Sequence, residues 1–237
     1  ILSREESSIL MYREGVADLQ LHPDDVEEDY IASAKLLLIS GTALCKSPSR
    51  EAALKAVLLA HKTQTPVVLD MDFRAYTWQN ADEVSVYLSL VAEKAQILLG
   101  SREEYDRTER LLGLDGTDAE SSRYWLAQGA QIVIIKHGKQ GSHAYTVQGQ
   151  YGVKPFPVDA LKGFGGGDGY ASSFLHGYLA GWELIDALEF GSASAAMLVA
   201  SHACSKDMPT EEAVRTFIRE EKARYGQDIV RIEKGCE

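Results

Sequence analysis

Lys162-Gly163-Phe164-Gly165-Gly166-Gly167-Asp168-Gly169-Tyr170 has the residue types and spacing with the most chemistry in them. It stands directly before the small-residue helical pattern Ala171-Ser172-Ser173-Phe174-Leu175-His176-Gly177. Three consecutive glycines remove side chains where a ligand approaches the backbone. At a helix N-terminus the unpaired N–H groups and the helix dipole favour an anion, and a phosphate suits both. Asp168 closes the run. A carboxylate beside a phosphate cradle can take the proton of a hydroxyl that attacks phosphorus. The plainer reading is a helix cap: Asp is a good N-cap and glycines are common before helices. Taken alone, such a turn is more often a cap than a catalytic site.

Spacing excludes two competing motifs. The Walker A pattern GxxxxGK[ST] occurs nowhere in the chain. A dinucleotide fingerprint, GxGxxG, would place its last glycine on Asp168 if begun at Gly163, and on Tyr170 if begun at Gly165.

A turn of this kind needs elements to hold it. Ser7 to Arg13 reads as a strand, Glu14-Gly15 as a turn and Ala17 to Leu21 as a return strand. Pro23 opens a short acidic helix to about Ala34. Leu36 to Ser40, Val67 to Asp70, Ile97 to Leu99 and Ile132 to Ile135 are short apolar runs, as buried strands are. Helices are predicted between them from Ser49 to His61, Asp82 to Ala95, Glu103 to Leu112 and Asp118 to Gln128. Gly138 and Gly141 punctuate a turn before a hairpin of Ser142 to Val147 and Gln150 to Phe156. The last third is helical over Asp168 to Leu179, Leu184 to His202 and Thr210 to Ala223, and Gln227 to Glu237 reads as a strand or a frayed tail. The alternation argues for a mainly parallel sheet covered on both faces, with ligands at the carboxyl ends of the strands.

Composition limits the partners. The 237 residues, 45% hydrophobic and 25% charged, suffice for one good core and predict a single domain. The net charge of −11 lacks the basic footprint of a nucleic-acid binder and discourages an anionic membrane surface. No apolar run reaches membrane-spanning length. Cys45, Cys204 and Cys236 are widely spaced, form no metal cluster and suggest a reducing cytoplasm.

Gly165-Gly166-Gly167-Asp168 with its helix resembles the GAGD signature of the ribokinase-like (PfkB-type) carbohydrate kinases. The similarity runs through nearly the whole chain. It includes Ser8-Ile9-Leu10-Met11-Tyr12-Arg13, Gly41-Thr42-Ala43-Leu44, Lys46-Ser47-Pro48-Ser49-Arg50-Glu51, Tyr76-Thr77-Trp78, Val133-Ile134-Ile135-Lys136-His137-Gly138 and Met208-Pro209-Thr210. The middle stretches resemble a subgroup that acts in myo-inositol catabolism. The resemblance implies a three-layer α/β fold with a mainly parallel sheet. It also implies a small β-lid at about residues 7–21 and a nucleotide-binding half at about 96–223. ATP and Mg²⁺ are the implied cosubstrate and cofactor, with the γ-phosphoryl passing to a primary hydroxyl. The implied substrate is a sugar acid, 5-dehydro-2-deoxy-D-gluconate. A 2-dehydro-3-deoxygluconate-type sugar, or a nucleotide-binding role without catalysis, are the alternatives.

Site residues follow from the same resemblance. Asp168 matches the catalytic base, and the backbone of Gly165, Gly166 and Gly167 the anion hole. Ser101-Arg102-Glu103-Glu104 aligns with the NxxE motif, so Glu104 positions Mg²⁺ through water and Ser101, in place of Asn, stands on the nucleotide side. Its other reading is an acidic helix start that suits the dipole. Lys136, Gly138 and Gly141 match the strand and turn along the nucleotide, and the glycines also suit a plain hairpin turn. Asp70-Met71-Asp72-Phe73-Arg74 resembles the DxNxR segment, with Arg74 facing substrate or phosphates. Tyr12-Arg13 resembles the lid dipeptide that contacts acidic sugars, where a guanidinium fork suits a carboxylate. Arg13 reads equally well as an exposed edge-strand charge, and the same strand offers an edge for a homodimer.

The chain departs from the pattern in three places. Gly166 replaces the usual Ala, and Gly163 and Gly169 replace Thr and Ser, which predicts a looser turn. Lys162 stands where many relatives carry Asp, so no monovalent-cation site is expected on that Asp. The family's N-terminal segment, with a substrate-contacting Asp and a Gly-Gly-Asn run, has no counterpart. With Ile1 opening in strand-like sequence, the chain reads as part of a longer protein.

Overall fold

The apolar runs become strands and the amphipathic stretches between them helices, as their periods require. The computed structural model describes residues 13–232. In chain order its regular elements are α1 (Glu28–Ser33), β1 (Leu37–Ser40), α2 (Ser49–Thr63), β2 (Val67–Asp70), α3 (Ala81–Ala92), β3 (Ile97–Ser101), α4 (Arg102–Glu109), α5 (Asp118–Ala127) and β4 (Ile132–Lys136). There follow β5 (Ser142–Thr146), β6 (Gly149–Val153), α6 (Gly166–Leu179), α7 (Leu184–Val199), α8 (Glu211–Tyr225) and β7 (Arg231–Ile232). Short 3-10 helices fill several connections. The sheet has seven strands in the order β1 to β7. This is the mainly parallel α/β arrangement that the alternation of runs implies.

The described residues fall into two compact units, 13–136 with 144–149, and 137–143 with 150–232. In the first, β1 to β4 are parallel neighbours, with Ser40 level with Asp70, and Ser101 level with Lys136. Parallel pairing in this register puts the polar residue that ends each strand on one edge, while the apolar residues behind it are buried on both faces. Leu69, Leu88, Leu98, Val133, Tyr105 and Trp125 pack there with no exposed surface. Asn80 caps α3 by accepting from the Glu83 N–H, and Thr117 caps α5 by accepting from the Glu120 N–H.

In the second unit, Phe156, Phe190, Ala193, Val214 and Val230 form a separate apolar cluster. Glu189 of α7 is buried at its edge and pairs with Lys222 of α8 at 2.5 Å and Arg231 of β7 at 2.6 Å. β6 and β7 are antiparallel, with Gly152 opposite Ile232, so of the expected strand or tail over Gln227 to Glu237 the two residues Arg231–Ile232 form a strand.

Several expectations are corrected. Ala17–Gln20 is a 3-10 helix, not a return strand: Leu19 donates to the Val16 carbonyl, and only Leu19 of the four is buried. The acidic helix from Pro23 is two pieces, a 3-10 turn over Pro23–Asp25 and α1, because Val26 and Glu27 are extended. The remaining helices shift by a few residues at their ends. The strand expected over Ser7 to Arg13, with Tyr12 and the proposed dimer edge, lies outside the described residues except for Arg13. No helix among the described residues is long and apolar enough to cross a membrane.

Candidate active site

The strand ends of the first unit assemble a charged cluster. Lys136 closes β4 and its Nζ lies 3.6 Å from Oδ1 of Asp70, which closes β2. Burial pulls the Lys136 ammonium down, but the carboxylates of Asp70, Glu104 and Asp72 outweigh it and hold the pKa above its ordinary value. Arg74 reaches Asp72 at 2.6 Å, and the second Asp72 oxygen accepts from Ser40 Oγ at 3.1 Å. Asp72 has φ of +34°, a left-handed backbone that Asp tolerates better than most residues. Strained positions of this kind cluster at functional sites.

Glu104 is committed on both oxygens. Ser101 is the N-cap of α4: its Oγ accepts from the Glu104 N–H at 3.3 Å, while Glu104 Oε2 accepts from the Ser101 N–H at 2.6 Å. This is a capping box. Oε1 of Glu104 accepts from the Phe73 N–H at 2.8 Å, which ties the Asp70–Arg74 segment to α4. Glu104 is therefore half-buried and anchored, not a freely solvated helix start, and each oxygen keeps a second lone pair for a further donor. Arg13 is ion-paired to Asp18 at 2.7 Å, within a segment that is not a strand.

In the second unit the glycine run forms the start of α6. Gly165 is the N-cap with φ of +82° and no side-chain cap, Gly166 and Gly167 are the first helical residues, and Asp168 is the third. The cap reading of Asp168 is thereby corrected: the cap is a glycine, and the carboxylate projects one turn later, exposed. The first amides of a helix have no intrahelical acceptor, and here no side chain supplies one from the cap position, so they fit an anion. Close packing forbids side chains here. A Cβ on Gly165 would stand 2.8 Å from Cys204 Sγ, and one on Gly166 2.8 Å from Val199 Cγ1. Gly138 opens a 3-10 turn and Gly141 caps it, both at positive φ; the Gly141 N–H donates to the Gly138 carbonyl at 3.1 Å, and the His137 N–H to the Gly141 carbonyl at 2.7 Å.

Within the first unit, then, Arg74, Ser101, Glu104 and Lys136 come together, and within the second Gly165, Gly166, Gly167 and Asp168 do. Asp70 and Asp72 were not singled out from sequence, although acids directly after an apolar strand are the signal that marks them. Lys162, a departure from the family's usual Asp, is buried beside Cys204.

The family profile described as pfkB family carbohydrate kinase matches residues 1–211. This chain belongs to the pfkB carbohydrate kinase family. A 5-dehydro-2-deoxygluconokinase of Clostridium perfringens is 60% identical over 232 residues, which cover 98% of this PfkB chain and 69% of that protein. Among solved structures, a fructokinase with bound ATP from Xylella fastidiosa has a TM-score of 0.80 at 22% identity, covering 92% of this chain and 71% of that one. An E. coli protein assigned as a ribokinase II, in complex with ATP and Mg²⁺, has a TM-score of 0.77 at 24% identity, covering 84% of this chain and 63% of that one. The structural likenesses establish the fold of a PfkB kinase.

Proposed function

We propose that this PfkB chain belongs to an ATP-dependent sugar-acid kinase that phosphorylates 5-dehydro-2-deoxy-D-gluconate at its 6-hydroxyl in the cytoplasm. The single observation that carries the reading is the start of α6, where uncapped glycine amides and an exposed Asp168 stand within one helical turn. The 60% identity to a kinase of that name supports the substrate.

In this reading ATP supplies the γ-phosphoryl group, and Mg²⁺ neutralises its charge. The amides of Gly166 and Gly167, with Gly165 opening the turn, donate to the oxygens of the transferring phosphoryl group. Asp168 accepts the proton of the sugar 6-hydroxyl. Lys136, kept cationic by Asp70, Glu104 and Asp72, presents a fixed positive charge at the end of β4. Glu104 would help hold Mg²⁺ through water with its remaining lone pairs, and Ser101 fixes Glu104 through the capping box. Gly138 and Gly141 shape the turn along the nucleotide. Arg74 binds the sugar carboxylate, pre-oriented by Asp72. Tyr12 and Arg13 are proposed to assist from the lid.

The test is Asp168→Asn in the whole gene product, assayed by coupled ADP release with the sugar acid. Turnover should fall by about 10²–10⁴, the usual contribution of a positioned base. Binding of a non-hydrolysable ATP analogue should persist. Unchanged turnover would remove Asp168 from the chemistry.

A further inference from the structure

Lys162 lies three residues before Gly165 and is only 5% exposed. Its Nζ donates to the Ala203 carbonyl at 2.8 Å and lies 3.3 Å from Cys204 Sγ. The same ammonium stands 4.7 Å from the centre of the Phe164 ring. Its backbone N–H, with that of Leu161, donates to the Val199 carbonyl at the C-terminal end of α7. Among the described residues no carboxylate pairs with it. Ala203 is itself held, its carbonyl by Ser201 Oγ at 2.8 Å and its N–H by Asp207 at 2.9 Å.

An ammonium buried against two neutral acceptors and one ring is an expensive way to hold a loop. A methionine of similar length would fill the space without desolvating a charge. The position of the charge supplies a reason. The thiol that Lys162 touches is the atom a Cβ on Gly165 would strike, so the cation sits behind the turn whose amides face the proposed phosphoryl group.

We infer that Lys162 is a positioning residue: a built-in cation that braces the Ala203–Cys204 loop against the glycine turn and biases the turn's field toward a polyanion, without touching the substrate. The inference rests on the reading of that turn as the phosphoryl cradle.

The test compares Lys162→Met and Lys162→Arg in the whole protein, by calorimetric binding of AMP-PNP and of adenosine. Lys162→Met should weaken AMP-PNP by about tenfold or more while changing adenosine by less than about twofold. Its thermal midpoint should hold or rise, since a buried charge is replaced by apolar volume. Lys162→Arg should retain most of the AMP-PNP affinity. Wild-type affinity for AMP-PNP in Lys162→Met, or an equal loss for both ligands, overturns the inference. If Lys162→Met does not fold, Lys162→Ala is titrated with ethylammonium against tetramethylammonium at equal ionic strength. Selective recovery by ethylammonium supports the role, and equal or absent recovery rejects it. Should wild type bind AMP-PNP no better than adenosine, the reading of the turn itself fails. Discrimination kept by both wild type and Lys162→Met removes only Lys162.

Discussion

Gly166 stands where ribokinase-like kinases usually carry alanine, and Val199 supplies the reason. Its Cγ1 occupies the space that a Cβ at 166 would need. Alanine is ordinarily the better helix former by up to ~1 kcal/mol, yet overpacking of this kind costs about 1–3 kcal/mol. Gly166→Ala should therefore destabilise the protein by about 1–2 kcal/mol in urea unfolding. Combined with Val199→Ala it should lose less than the sum of the single changes. The glycine run was legible from sequence, but its packing partner was not, because Val199 is distant in the chain and brought near only by α7. Lys136 gives a second test. A lysine held above its ordinary 10.5 in the fold stabilises fully below that pH, and the contribution fades as pH rises through the folded value. The stability gap between wild type and Lys136→Met should thus be constant near pH 8 and narrow as pH rises above 10.5.

Helix α4 shows what patterning alone conceals. Its sequence is dominated by charge and reads as a solvated face, but Glu109 is 3% exposed. Its carboxylate accepts from Ser121 Oγ at 2.7 Å and Trp125 Nε1 at 2.8 Å, both on α5, and pairs with Arg102 at 3.0 Å. Arg102 also reaches Asp118 at 3.3 Å, to which the Tyr145 hydroxyl donates at 3.2 Å. Burial pushes the Glu109 carboxyl up, opposed by these hydrogen bonds and by Arg102. Glu109→Ala leaves the buried Trp125 indole N–H without its acceptor and removes one of the carboxylates that Arg102 pairs with, and should cost about 1–3 kcal/mol, read as a lower urea midpoint. The strands were legible because short apolar runs bounded by turn residues alternate with helical periods along the chain. The segment Ala17–Gln20 was not, because its apolar residues are too few for either period to dominate.

At the scale of the whole molecule, alternation of strand and helix gave the architecture, and the glycine turn gave the family. Arg74, Ser101, Glu104 and Lys136 were legible through the family resemblance, but their pairing with Asp70 and Asp72 was not, because it depends on a strand register that sequence does not state. The complete gene product should show a higher kcat/KM for 5-dehydro-2-deoxygluconate than for 2-dehydro-3-deoxygluconate in a coupled ADP assay, and the reverse order would reassign the substrate. Chelation of divalent cations by EDTA should abolish turnover, and added Mg²⁺ should restore it. Glu189, finally, has a bearing on how this polypeptide can be handled. It is neutralised by one cation from α8 and one from the last described strand, and Arg231 also grips Asp186 at 2.5 Å. Trimming the chain upstream of Arg231 would thus leave Glu189 with Lys222 alone and take from Asp186 its arginine. Affinity handles and shortened versions are safest when they spare that arginine, which clasps α7.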